Sequence, residues 1–583
     1  MFDRKTVAVI LAVGFFVISS VFAQSLDDDW NDFLHYTKIG RFDLAKGHAK
    51  AVLDSNPEPL ALLALSEKNP QGYAVLLKVI ESAPDAELAE LSGKILDIVE
   101  QGRFIRRADP KTIAEEIKRL NSSDRGRLAA VKRLQNAGEY AVMYMLDAMV
   151  DDSRKDEFAN IVWALPQIGR DSIRPLAAAL QSQDVAVKAE VIRALGKIGY
   201  PQALAYLKYV VEKDDSPELR ELAIQSIKDI DIAALQMSAA QLFYNLAENY
   251  YYHAESLAPV EKSDSANMWF WNPGERRLVL EKVDSRYFNE LMSMRVCEWA
   301  LKADAGFGQA IGLWLAAYSK AEAVGIGMPG YFGPGHADAG VYATTAGPEY
   351  LYQALARAIK DEDAHVALSV IEALGKTGGE KSLLYRLGSS QPLVQALSFN
   401  DKAVRYSASI AVAEAGPKEA FAESKYVIEN LAEALGQNSD DSYSIRSAEA
   451  MLKLAQTQNP VIDLAVAQEA LIIATKDGRE EIQVIASQVL ARLSSPVAQR
   501  SLAELALSGD SSLDTKLVAF DSLAISARLN GNLLDDEKID AIYSLVSSGE
   551  IDPQLRSAAA VAFGSLNLPS QKVKNLILDQ ARS

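Results

Sequence analysis

The chain has 583 residues, 49% of them hydrophobic, with a formal net charge of −18 and one cysteine, Cys297. Its apolar content excludes general disorder, its acidic balance argues against nucleic acid or an anionic membrane as partner, and a single cysteine excludes an internal disulfide or a paired-cysteine metal site. Apolar residues recur in helical periods between short polar breaks almost everywhere, so the expected fold is all-α and the length points to a helical array.

The N-terminus, "MFDRKTVAVILAVGFFVISSVFAQ", sets Arg4 and Lys5 before the apolar run 7–17, with small residues at Val21 and Ala23. That is the layout of a signal peptide, residues 1–23, cleaved after Ala23. A retained anchor is the other reading, although the run is short for a span. The expected product is exported, to the periplasm or outside the cell. A helical region, 24–124, follows. Within it "WNDFLHYTKIGRFDLAKGHAKAVLDSNP" (30–57) places Gly40 at a turn, Ala45 and Ala49 where two helices touch, and Pro57 at the exit. This stretch resembles one tetratricopeptide (TPR) helix pair.

Residues 125–231 carry a different design. In "DVAVKAEVIRALGKIG" (184–199), Val187, Val191, Ala194 and Leu195 form the apolar stripe of one helix. Asp184 stands where a carboxylate caps the first turn, and Gly196 and Gly199 stand where a helix ends or a neighbouring backbone comes close. "DAHVALSVIEALGKTG" (363–378) repeats nine of the sixteen residues. Further copies lie at 157–169, 215–227, 401–416, 444–455, 481–493, 515–529 and 552–566, each behind another amphipathic helix. Each pair would expose an apolar face that only another pair can cover. The pattern resembles HEAT repeats, especially the short bacterial kind first recognised in bilin lyases, over 125–231 and 351–583. The resemblance implies an α-solenoid and a ladder of Asp and basic residues between neighbours: Asp184 with Lys188, Asp215 with Arg220, Asp401 with Arg405, and Asp552 with Arg556. Ala367 replaces the basic residue after Asp363, so the ladder is expected to break there.

The central region, 232–350, breaks the pattern. "MWFW" (268–271) and "RLVLEKV" (277–283) flank "NPGE" as the strands of a short β-hairpin. "CEWALKADAGFGQAIGLWLAAYSKAEA" (297–323) resembles the end of one TPR repeat and the start of the next, with Ala305 at the usual proline. "GIGMPGYFGPGHADAGVYATTAGPEY" (325–350) is too rich in Gly and Pro for regular helix, and a loop of that length is usually functional or disordered.

Chemical motifs are sparse. "GIGMPG" lacks the strand and helix of a dinucleotide site. His336 with Asp338 gives only two ligands, and His253 sits beside a tyrosine run that reads as a packed face. No catalytic residue, cofactor or metal site is assigned. The expected function is an exported protein–protein interaction scaffold with another protein of the envelope or exterior as partner. The alternative is a carbohydrate-binding or carbohydrate-active helical protein; a bilin-lyase-like enzyme would rest on fold analogy alone. The partner-binding candidates are Trp269, Trp271, Tyr251, Tyr331, Phe332 and His336, because bulky rings in Pro- and Gly-bounded segments suit a binding surface.

Overall fold

The computed structural model describes residues 26–82, 85–259, 264–379, 383–437, 441–569, 571, 573, 574, 577 and 578. Residues 1–23, read above as a signal peptide, lie outside them. Among the described residues no helix is long and apolar enough to cross a membrane. The fold is all-α, apart from one two-stranded sheet. The chain forms two compact units: one comprises residues up to Met237 with 267–281, the other 238–266 with everything from Lys282 onward.

The first unit begins with helical residues 26–38 and the helix Phe42–Asp54, turned by Gly40 at φ 77°. Ala45 and Ala49 are fully buried against Trp30 and Phe33, so the helix pair read at 30–57 is present. The helix Ala86–Arg107 crosses Pro59–Lys68 so closely that a Cβ on Gly102 would lie 2.2 Å from the Pro59 carbonyl. The first HEAT-like copies follow. Asp184 caps Val185–Ile198 by accepting from the amides of Ala186 and Val187. This helix packs on Pro217–Ile230, and there Gly196 faces Ser226, whose hydroxyl donates to the Ile192 carbonyl at 3.2 Å. The copy at 157–169 departs from regular helix. Its α-helix, Phe158–Ala164, passes into a 3₁₀ turn at Leu165–Ile168, because Pro166 offers no amide to continue the ladder.

In the second unit the second helices of the pairs stack in series. Ala364–Thr377 packs on Lys402–Ala415, which packs on Asp441–Gln456, then Glu480–Leu490, Leu513–Asn530 and Pro553–Ser565. Leu374 is fully buried in this row, as Leu195 is in the first unit. Each second helix buries its stripe against the next second helix. That is an α-solenoid stack.

The hairpin consists of β1, Ser265–Asn272, and β2, Arg277–Asp284. Its turn is fixed by Asn272, whose side-chain oxygen accepts from the amides of Gly274 and Glu275, with Arg276 at φ 53°. The expectation for 325–350 needs correction. Asp338 caps a regular helix, Ala339–Ala346, and Pro348 opens another, Pro348–Lys360. Gly347, at φ 91°, is the break between them, so the Gly- and Pro-rich composition marks helix ends as well as loop.

Candidate interaction surface

The ladder residues divide. Asp184, Asp401 and Asp552 each cap their own helix. Lys188 reaches the next repeat, 2.9 Å from Asp214, with both side chains largely buried. The rung therefore uses Asp214 rather than Asp215, and Ser216 is the cap. Arg220 donates to the carbonyls of Asp214 and Asp215, so its expected pairing with the Asp215 carboxylate is replaced by a backbone contact. Arg405 likewise holds the carbonyls of Phe399 and Asn400 and pairs with Glu433; Arg556 reaches the Ser548 carbonyl. Other cross-repeat bonds join Asn459 to Pro417, Asn530 to Leu493 and Arg479 to Asp441. These side chains satisfy carbonyls left open at helix ends.

The hairpin aromatics are not a free surface. Trp269 is 4% exposed. Its indole N–H donates to Glu139 at 2.7 Å, and its ring meets Tyr140 edge-on. Asn267 donates to the other oxygen of Glu139 at 2.7 Å, and Arg174 pairs with the same carboxylate at 3.3 Å. A buried carboxylate is tolerable only when held this way. Trp269 is thus a core residue of the first unit, whereas Trp271 is half-buried.

The tyrosine run is also largely internal. His253, at φ 53°, ends the helix Ala239–Tyr251 by donating its amide to the Tyr250 carbonyl. Tyr251 is buried, correcting its assignment as a contact residue. Arg357, from Pro348–Lys360, lies over the rings of Tyr251 and Tyr252 and donates to Tyr244, Tyr252 and Glu248. Burial is the largest single influence and works against its charge, but the bond to Glu248 together with the attraction of Glu248, Tyr244 and Tyr252 outweighs it and holds the guanidinium cationic. Burial pushes the Tyr244 phenol up to about 12. Glu290, 2% exposed, has one oxygen 2.5 Å from His253 Nε2 and 3.9 Å from Lys320. Arg357 thus pairs with Glu248, and Lys320 lies near Glu290. These contacts knit helices together. Cys297, on the same helix as Glu290, is fully buried, and that burial raises its thiol far above the usual range.

The remaining candidates come together. Phe332 stacks on Tyr318 at 6.0 Å, and Tyr331 and His336 flank it at 4.9 and 5.0 Å. Trp314 and Tyr342 extend the layer, each within 6 Å of Tyr318. Tyr331, Phe332, His336 and Trp314 are half-buried, while Val341 and Tyr342 are exposed. Glu322 lies at its edge, accepting from the Ala339 amide, and burial raises its carboxyl. His336 Nδ1 donates to the Gly333 carbonyl within its own loop. Asp338 is a helix cap, and no group of three or more His, Cys, Asp or Glu that could hold a metal occurs among the described residues.

Residues 142–228 match the family model described as HEAT repeats. Over those residues the chain is similar to HEAT repeats. The match spans the Lys188–Asp214 rung and the Gly196–Ser226 contact. No curated protein is a detectable sequence relative. Solved structures that resemble the chain include a designed armadillo repeat protein, 20% identical, covering 37% of this chain and 100% of its own, with a TM-score of 0.27. Yeast importin-beta (Kap95p) is 12% identical, covering 85% and 67%, at 0.27. Human deoxyhypusine hydroxylase is 14% identical, covering 74% and 97%, at 0.21. Scores of that size carry nothing about activity or partner.

Proposed function

We propose that this HEAT-repeat protein is an exported, non-catalytic scaffold for protein–protein interaction, with the aromatic layer of the 314–342 region as its specific contact. HEAT repeats typically serve this purpose, because stacked pairs hold a long rigid surface. The observation that carries the reading is the layer itself: Tyr331, Phe332 and Tyr342 stay partly open to solvent while the repeat stripes are buried. Rings of this kind desolvate large areas with few rotatable bonds. Glu322 beside the rings also favours the carbohydrate reading, since ring faces flanked by carboxylates suit a sugar. One experiment separates them. The mature chain and its Phe332→Ala/Tyr342→Ala variant are used to capture material from the native envelope fraction. A protein retained by the first and lost by the second supports the scaffold; polysaccharide without protein supports the alternative. Equal capture by both chains would move the contact elsewhere.

A further inference from the structure

The net charge of −18 conceals a basic stretch. Residues 103–133 hold ten Lys or Arg against four Asp or Glu, a local +6 that leaves −24 on the rest of the chain. The helices Pro110–Arg119 and Asp124–Ala137 pack together, burying Ile113, Ile117, Val131 and Leu134. On the second helix, Arg125, Leu128, Ala129 and Lys132 follow at i, i+3, i+4 and i+7, and all four are exposed, Leu128 by 61%. Lys118 is exposed on the first. Lys118, Arg125 and Lys132 make no hydrogen bond or ion pair among the described residues. Three of the four acids of the stretch are already engaged: Glu116 is buried between Arg119 and Arg133, Asp109 caps a helix, and Asp124 pairs with Arg127; the fourth, Glu115, is exposed and leaves the cations in excess. Arg127 in turn lies over Trp163, itself 42% exposed.

We propose that this face, centred on Lys118, Arg125, Leu128 and Lys132, docks an acidic, apolar-bearing segment of a partner protein. The inference rests on the scaffold reading and names the partner's chemistry. Unpaired cations beside exposed Leu128 and Trp163 suit a segment with both carboxylates and side chains to bury. A duplex nucleic acid or an anionic membrane extends beyond the patch and meets the −24 of the remainder. Two copies of the chain repel as wholes, each at −18.

The mature chain is titrated with a fluorescent oligoglutamate, beside an Arg125→Glu/Lys132→Glu variant whose helicity is checked first. Binding should weaken at least about ten-fold in the variant and again as salt rises from about 20 to 150 mM, where screening shortens to about 8 Å. A photo-crosslinker at Leu128, in the native envelope, should then yield an Asp- or Glu-rich peptide of another protein. Equal binding by both chains, preferential binding of anionic vesicles or duplex DNA, or a crosslinked peptide from the chain itself overturns the inference. If the double variant still captures the protein that the Phe332→Ala/Tyr342→Ala variant loses, the acidic-segment inference falls and the scaffold reading stands.

Discussion

Replacing Trp269 with alanine tests whether the hairpin ring is core or contact. The ring fills a site that is 4% exposed and donates 2.7 Å to Glu139. Truncation leaves a cavity, which for a buried tryptophan costs about 3–5 kcal/mol. It also removes one of the donors holding a buried carboxylate; Asn267 and Arg174 remain, so that loss adds at most about 1–3 kcal/mol. Trp269→Phe separates the two effects, keeping most of the volume and costing about 1–3 kcal/mol. Hydrogen exchange read on peptides from 139–150 and 267–281 is the assay. A loss of about 4 kcal/mol lowers protection by roughly three decades where exchange follows local opening. Trp271→Ala, at a half-buried position, should stay within about 1 kcal/mol. If Trp269→Ala leaves exchange unchanged yet abolishes partner capture, the ring is an interface residue and the reasoning from burial is wrong.

Other outcomes follow from the same contacts. Leu195→Ala and Leu374→Ala should each cost about 2–5 kcal/mol, with exchange rising in adjacent repeats before distant ones. Gly196→Ala places a Cβ 2.8 Å from that of Ser226 and should destabilise by about 1–3 kcal/mol in denaturant unfolding, partly recovered by Ser226→Gly. Lys188→Met should cost about 1–2 kcal/mol, because Asp214 keeps the Ser216 amide as a donor; an Asp214→Asn background should shrink that cost. Cys297 should resist an aromatic disulfide reagent in the folded chain and react once after denaturation.

The repeats were legible because period, cap and closing glycine all point the same way at Asp184, Leu195 and Gly199. The same holds for the hairpin, where Asn272-Pro-Gly separates two strand-like runs. The ladder register was off by one because "KDDSPE" offers Asp214, Asp215 and Ser216 in succession, and only packing selects which faces the neighbouring repeat. The helix Ala339–Ala346 was hidden because glycine and proline mark both loops and helix boundaries. Trp269 was misplaced for another reason: residues 266–269 are buried on both faces of β1 while Trp271, on the same face as Trp269, is half-buried, so burial changes along the strand with what covers it, and nothing local says where that cover ends.

The residues that sequence reading missed share a cause. Glu139 and Glu290 both stand in the first turn of a helix, the former at its first residue. An acid there is ordinarily accounted for by the partial positive charge of the helix N-terminus, so it attracts no attention. Yet each lies on the buried stripe of its helix: Glu139 with Val142 and Leu146, Glu290 with Met294 and Cys297. The helix end lowers the cost of burying the charge, and specific partners lower it further: Trp269, Asn267 and Arg174 hold Glu139, while one oxygen of Glu290 bonds His253 with the Lys320 ammonium 3.9 Å away. A glutamate that satisfies the rule for helix starts and breaks the rule for apolar stripes is therefore a sign of long-range pairing. In a stack built of repeated apolar stripes, such residues fix where the irregular segments attach.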